Sequence, residues 1–135
     1  MDVLPAGLVP WAKGRALIAV GIPVAPVEYE GVRYHIGQGN NALLYPGLGL
    51  GVIVSGAKHV TDGMLLAAAE AVAGQVDVSA PGASLLPPVD NLRASSATVA
   101  VAVAKQAKAD GVATIEHPNL TQVLQDAMWQ PVYRD

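Results

Sequence analysis

The spacing of apolar positions changes twice along this chain. Residues 4–13, broken by Pro5, Gly7 and Pro10, read as an irregular or one-turn helical lead-in. Segment 15–20 then runs Ala16-Leu17-Ile18-Ala19-Val20 without a polar break after Arg15 and stops at Gly21 and Pro23. A short continuous run of this kind predicts a strand covered on both faces, as in a parallel sheet. After Pro26, VEYEGVRYHI sets two β-prone stretches around Glu30-Gly31, the signal of a hairpin.

From residue 41 onward the pattern turns helical. Residues 41–57 are nearly all apolar and rich in small side chains that permit close packing, with Asn40 or Asn41 placed to cap the start. Thr61-Asp62 opens a second helix over 62–74, where Met64, Leu65, Ala68, Ala69 and Val72 recur at helical spacing. A Pro- and Gly-rich loop follows. Asp90-Asn91 opens a third helix to about Ala109, closed by Gly111, and Asn119 with Gln122 suggests a capping box for a last helix, 119–128. One strand, a hairpin and four helices are an unusual inventory for a free-standing α/β domain. A parallel strand needs a parallel neighbour, and no second buried run offers one, so the expectation is that preceding segments complete the sheet.

Composition narrows the class. The chain has 135 residues, 52% hydrophobic and 14% charged, a net charge of −3 and no cysteine. That is enough for one core, since a domain of about this size buries roughly 68% of its unfolded surface. Disulfides, thiolate metal sites and cysteine nucleophiles are excluded together. Basic residues are few and unclustered, which argues against nucleic acid as a partner. The N-terminus lacks the basic region of a secretory signal. Residues 35–57 contain no Asp, Glu, Lys or Arg, but the apolar part is interrupted by Pro46, Gly47, Gly49 and Gly51 and falls short of the roughly 20 apolar residues of a membrane span. No membrane partner is expected. So little charge also predicts that part of the surface meets more protein.

The chemistry concentrates in one stretch. Gly37-Gln38-Gly39-Asn40-Asn41-Ala42 matches G-x-G-x-x-A before a helix, with Asp62 about 20 residues on, which is the dinucleotide fingerprint in outline. Its context does not fit, because no strand follows helix 41–57 and Asp62 therefore sits at a helix start. Two other readings stand side by side. Two neutral amides and the free N–H groups of a helix start could receive a carboxylate. Alternatively, Asn40 and Asn41 do no more than cap the helix, worth about 1 kcal/mol.

Other polar residues read more plainly. His35, His59 and His117 lack the spacing of a metal site. Asp62 and Asp90 read as helix caps, Lys105 and Lys108 as a solvated face. Ser95 and Ser96 lie inside a predicted helix with no nucleophile elbow.

The strings GRALIAVGIPVAPVEYEGVRYHIGQGNNALLYPGLGLGVIVSGAKHVTDGMLLAAAEAVA, LLPPVDNLRASSATVAVAVAKQA and MWQPVYRD resemble the C-terminal part of malic enzymes, from about Val3 to Asp135. GQGNNALLYPGLGLG is the most specific piece. The resemblance implies an α/β fold: the C-terminal portion of a Rossmann-like NAD(P)-binding domain over 1–135, mostly helical, with one buried strand and a short hairpin. It implies an enzyme that oxidises L-malate with NAD or NADP and decarboxylates the product to pyruvate and CO₂, using Mg²⁺ or Mn²⁺. Asn40 and Asn41 then correspond to the pair that borders the substrate, one amide meeting the malate carboxylate, with Gly39 and Asn40 beside the cofactor. Helices 90–109 and 119–128 become outer packing.

The family's catalytic tyrosine and lysine, its acidic metal ligands and its own cofactor loop belong to segments before residue 1, and neither Tyr45 nor Lys58 stands in their place. Where the family usually carries a hydroxyl, this chain has Ile22. The implied picture is a cytoplasmic, homo-oligomeric enzyme of which this chain is one part, catalytically silent alone. A minimal dinucleotide binder built on 37–42, or a non-catalytic structural or oligomerisation module, are the competing expectations.

Overall fold

A computed structural model describes residues 4–130 and 132–133. Pro131, Arg134 and Asp135 of the terminal motif, and Val3 at its other limit, lie outside the described residues. The lead-in is more regular than its prolines suggest. It forms helix α1 (Pro5–Trp11), since Pro5 sits in the first turn, where a missing N–H costs nothing. Val9 is fully buried and packs with Ile18 and Tyr34.

Strand 15–20 contracts to β1 (Ala19–Val20), and both residues are half-buried. The strand expected to be covered on both faces is therefore short and partly open. Its missing neighbour is present: β1 pairs in parallel with β4 (Gly37–Gln38), Ala19 opposite Gly37 and Val20 opposite Gln38. The Gly37 and Gly39 N–H groups donate to the Ile18 and Val20 carbonyls at 2.9 and 2.8 Å. A Gly-Gln pair has no hydrophobic signature, which is why the apolar pattern conceals it. The crossover joining the two strands contains the expected hairpin, β2 (Val27–Tyr29) and β3 (Val32–Tyr34). Its turn holds Glu30 and Gly31 at φ 49° and 77°, the left-handed pair that matches strand twist.

The helical half is built around α4 (Leu92–Ala109), preceded by a 3₁₀ turn at Val89–Asn91. Val99, Ala100, Val103 and Ala107 are fully buried against α2 (Tyr45–Ser55) and α3 (Asp62–Ala73). The expectation that 90–109 is outer packing is corrected: alternating small and β-branched residues make α4 the centre of the core. Only α5 (Leu120–Ala127) is peripheral, inserting Leu124 beside Val54 and Ala100.

Gly47 and Gly51, four residues apart on α2, face α4 so closely that an added Cβ would lie 2.5 Å from Val99 Cβ or 2.8 Å from the Ala100 carbonyl. Close approach is thus written into the helix. Two capping assignments also change. Thr61, rather than Asp62, caps α3 by accepting the Met64 N–H at 3.1 Å, and Asp90 lies inside the 3₁₀ turn. Asn119 caps α5 as expected, accepting from the Gln122 N–H at 3.3 Å, while the Gln122 side chain donates to Asp126 instead of closing the box.

Candidate functional site

β1 and β4 run parallel, so their carboxyl ends open on one side, where α/β folds place ligands. The chain leaves β4 through Gly39 and Asn40 and enters a 3₁₀ turn at Asn41–Leu43 before α2 begins. The continuous helix expected over 41–57 is divided because Leu44 departs from the helical path and Pro46 restarts it in the first turn of α2.

This division gives the two asparagines different surroundings. Asn40 is extended, at φ −116° and ψ 129°, and its Oδ1 accepts the Ala42 N–H at 3.0 Å. It is the cap of the 3₁₀ turn. Asn41 is the first residue within the turn; its carbonyl accepts the Leu44 N–H at 3.1 Å, and its exposed side chain makes no hydrogen bond among the described residues. Both border an open cleft of about 480 Å³, floored by Leu43, Val72, Ala73 and Leu86 and reached on one side by Tyr45. An apolar floor under a neutral amide rim suits a ligand with a carboxylate at one end.

The glycine motif does not form a phosphate cradle. Its Gly37 and Gly39 N–H groups are consumed in the parallel ladder, and a Cβ on Gly37 would press on Leu86 at 3.2 Å. Asp62 stands at the first position of α3 and not at a strand end. These residues therefore do not fit a dinucleotide pyrophosphate.

His117 is tied to the end of α2, its Nε2–H donating to the Val54 carbonyl at 2.9 Å. Lys108 reaches Glu116 at 3.1 Å on the surface. Among the described residues no three His, Asp or Glu side chains gather to hold a metal, and no helix is long and apolar enough to cross a membrane. Ser95 is buried, and its hydroxyl has no partner among the described residues, a feature that helical periodicity gives no means of anticipating.

A parallel pair whose carboxyl end carries a polar turn into a helix is a piece of an α/β arrangement. Residues 1–108 match the family model described as malic enzyme, NAD binding domain, and the chain belongs to that family. It is 59% identical over 133 residues to NAD-dependent malic enzyme 3 of Bacillus subtilis (strain 168), covering 98% of this chain and 24% of that protein. It is 41% identical over 133 residues to the malolactic enzyme of Lactococcus lactis, with 98% and 25% covered. The crystal structure of malic enzyme from Pyrococcus horikoshii superposes with a TM-score of 0.70 at 28% identity, over 93% of this chain and 25% of that one. The chain thus spans about a quarter of the length of the relatives it matches.

Proposed function

We propose that this chain supplies the substrate-facing corner of a malic enzyme that oxidises L-malate with NAD or NADP and releases pyruvate and CO₂, with Mg²⁺ or Mn²⁺ held elsewhere in the assembled protein. A bound nicotinamide would supply the hydride acceptor for the substrate carbon, and Gly39 and Asn40 are the residues of this chain that would border it. This chain's own part is positioning. Asn41 turns its amide Nδ2–H toward a malate carboxylate, and Asn40 fixes the turn that aims it. The observation that supports this is the division of labour in the pair, one side chain internally bonded and the other free on the cleft rim.

Gly39 and Asn40 border the nicotinamide end through surface contact, since the Gly39 N–H and Asn40 Oδ1 are already engaged. A neutral rim holds the substrate without fixing its charge, and leaves proton transfer and metal ligation to groups on the remainder of the enzyme. In this reading the assembled protein is cytoplasmic and homo-oligomeric, and 1–135 is one part of its NAD(P)-binding domain.

Malate-dependent reduction of NAD in the presence of Mn²⁺ tests the reading. The chain alone is expected to be inactive and to gain turnover when combined with the remaining three-quarters of its Bacillus relative. Turnover by the chain alone overturns it, and so does an assembled pair that never turns over, which would favour a non-catalytic structural module.

A further inference from the structure

We infer that the outer face of α2, together with the end of α5, is the surface on which the remaining malic-enzyme polypeptide docks; this rests on the function proposed above and assigns its partner a place. Helix α2 contains no charged residue, and its inner face is spent on α4. The outer face carries Tyr45, Gly49 and Ile53 at intervals of four, one stripe along the helix. Tyr45 is 59% exposed and Ile53 74%. Among the described residues, nothing outside the helix's own backbone lies within 4 Å of the position a Cβ would take on Gly49, so the stripe is open at its centre to another backbone. Beside it, Leu92 and the 78% exposed Trp129 complete a groove of about 520 Å³. The exit of α5 is held there by Arg93, whose Nη1 donates to the Trp129 carbonyl at 3.0 Å.

Two observations identify the occupant. Relatives that match 98% of this chain are about four times its length, so most of a homologous enzyme lies outside it. In addition, Tyr45 lines both this groove and the cleft of Asn40 and Asn41. A polypeptide that brings catalytic groups to the asparagines past Tyr45 arrives within one helical turn of the stripe, where it meets a largely apolar groove edged by Arg93. Exposed Leu66 on α3, by contrast, lines neither the groove nor the cleft.

The test is direct binding of this chain to the remaining three-quarters of the Bacillus relative, measured calorimetrically without malate or cofactor. Gly49→Leu and Ile53→Lys should each weaken association by about tenfold or more. Leu66→Lys should bind as the unaltered chain does. Gly49→Leu fills open space and raises helix propensity, so its melting temperature should rise while its binding falls, which separates docking from folding. Unchanged binding by both groove variants overturns the inference, as does absence of binding by the unaltered chain. A dimer of this chain alone that Ile53→Lys converts to monomer also overturns it, since the face would then serve a second copy. Tight, groove-dependent binding without turnover would remove the proposed function and leave the docking surface standing; turnover with groove-independent binding would do the reverse.

Discussion

The Thr61 hydroxyl joins the start of α3 to the end of α4: it accepts the Met64 N–H at 3.1 Å and donates to Asp110 Oδ2 at 2.5 Å. Gln106 Nε2 donates to the other Asp110 oxygen at 2.7 Å. First the Thr61 hydroxyl and then the Gln106 amide hold the Asp110 carboxyl below its ordinary value of 3.8. A depressed folded-state value means the contribution is fully present above the unfolded value and is lost as pH falls through the folded one. Asp110→Asn should therefore lower the urea midpoint at neutral pH. The gap from the unaltered chain should close as pH drops below 3.8, and equal midpoints at neutral pH would refute the tie.

The α2–α4 contact makes opposite predictions for neighbouring glycines. Gly47→Ala and Gly51→Ala put a methyl within 2.5 to 2.8 Å of Val99, Val103 or an α4 carbonyl, and should each cost about 1–3 kcal/mol by forcing the helices apart. Gly49→Ala meets nothing and should gain up to about 1 kcal/mol from helix propensity alone. Urea denaturation of the three variants would show the alternation, and a uniform response would sink it.

Helix identity was legible where periodicity was strong. The expected 62–74 is α3 over Asp62–Ala73, and 119–128 is α5 over Leu120–Ala127. The hairpin turned at Glu30-Gly31 because glycine and a short polar stretch are a local signal. What escaped was non-local. Gly37–Gln38 becomes a strand only because Ile18 and Val20 offer carbonyls across a crossover, and no property of Gly or Gln announces that. The same residues that imitate a phosphate loop in one dimension are ladder donors in three. At the asparagine pair the sequence showed two amides and a helix start. Which amide is free was decided by the 3₁₀ turn, and nothing in the string NNALLYP distinguishes that turn from a regular first helical turn.

Ser95 offers a test of the core. It is 3% exposed on α4, and its Oγ has no partner among the described residues, whereas the buried Ser55 hydroxyl on α2 donates to the Val52 carbonyl at 3.2 Å. A buried, unsatisfied hydroxyl costs about 1–3 kcal/mol, and alanine is the better helix former. Ser95→Ala is expected to raise thermal stability, and Ser55→Ala to leave it level or lower it. A destabilised Ser95→Ala would mean that the hydroxyl has a partner, such as an internal water.

The two asparagines should separate by the property each affects. Asn40 caps the turn through Oδ1, so Asn40→Ala should cost about 1 kcal/mol of stability in the isolated chain. Asn41 has no side-chain partner among the described residues, and Asn41→Ala should stay within about 0.5 kcal/mol. In the assembled enzyme the order should reverse. Losing a hydrogen bond to a charged carboxylate, about 1.5–3 kcal/mol, would lower kcat/KM for malate by roughly tenfold or more in Asn41→Ala. Asn41→Asp should lose more, because it sets one carboxylate against another. Malate kinetics of the two Asn41 variants, beside melting curves of the Asn40 variant, decide the matter; normal kinetics for Asn41→Ala would leave the pair as a helix cap and nothing else.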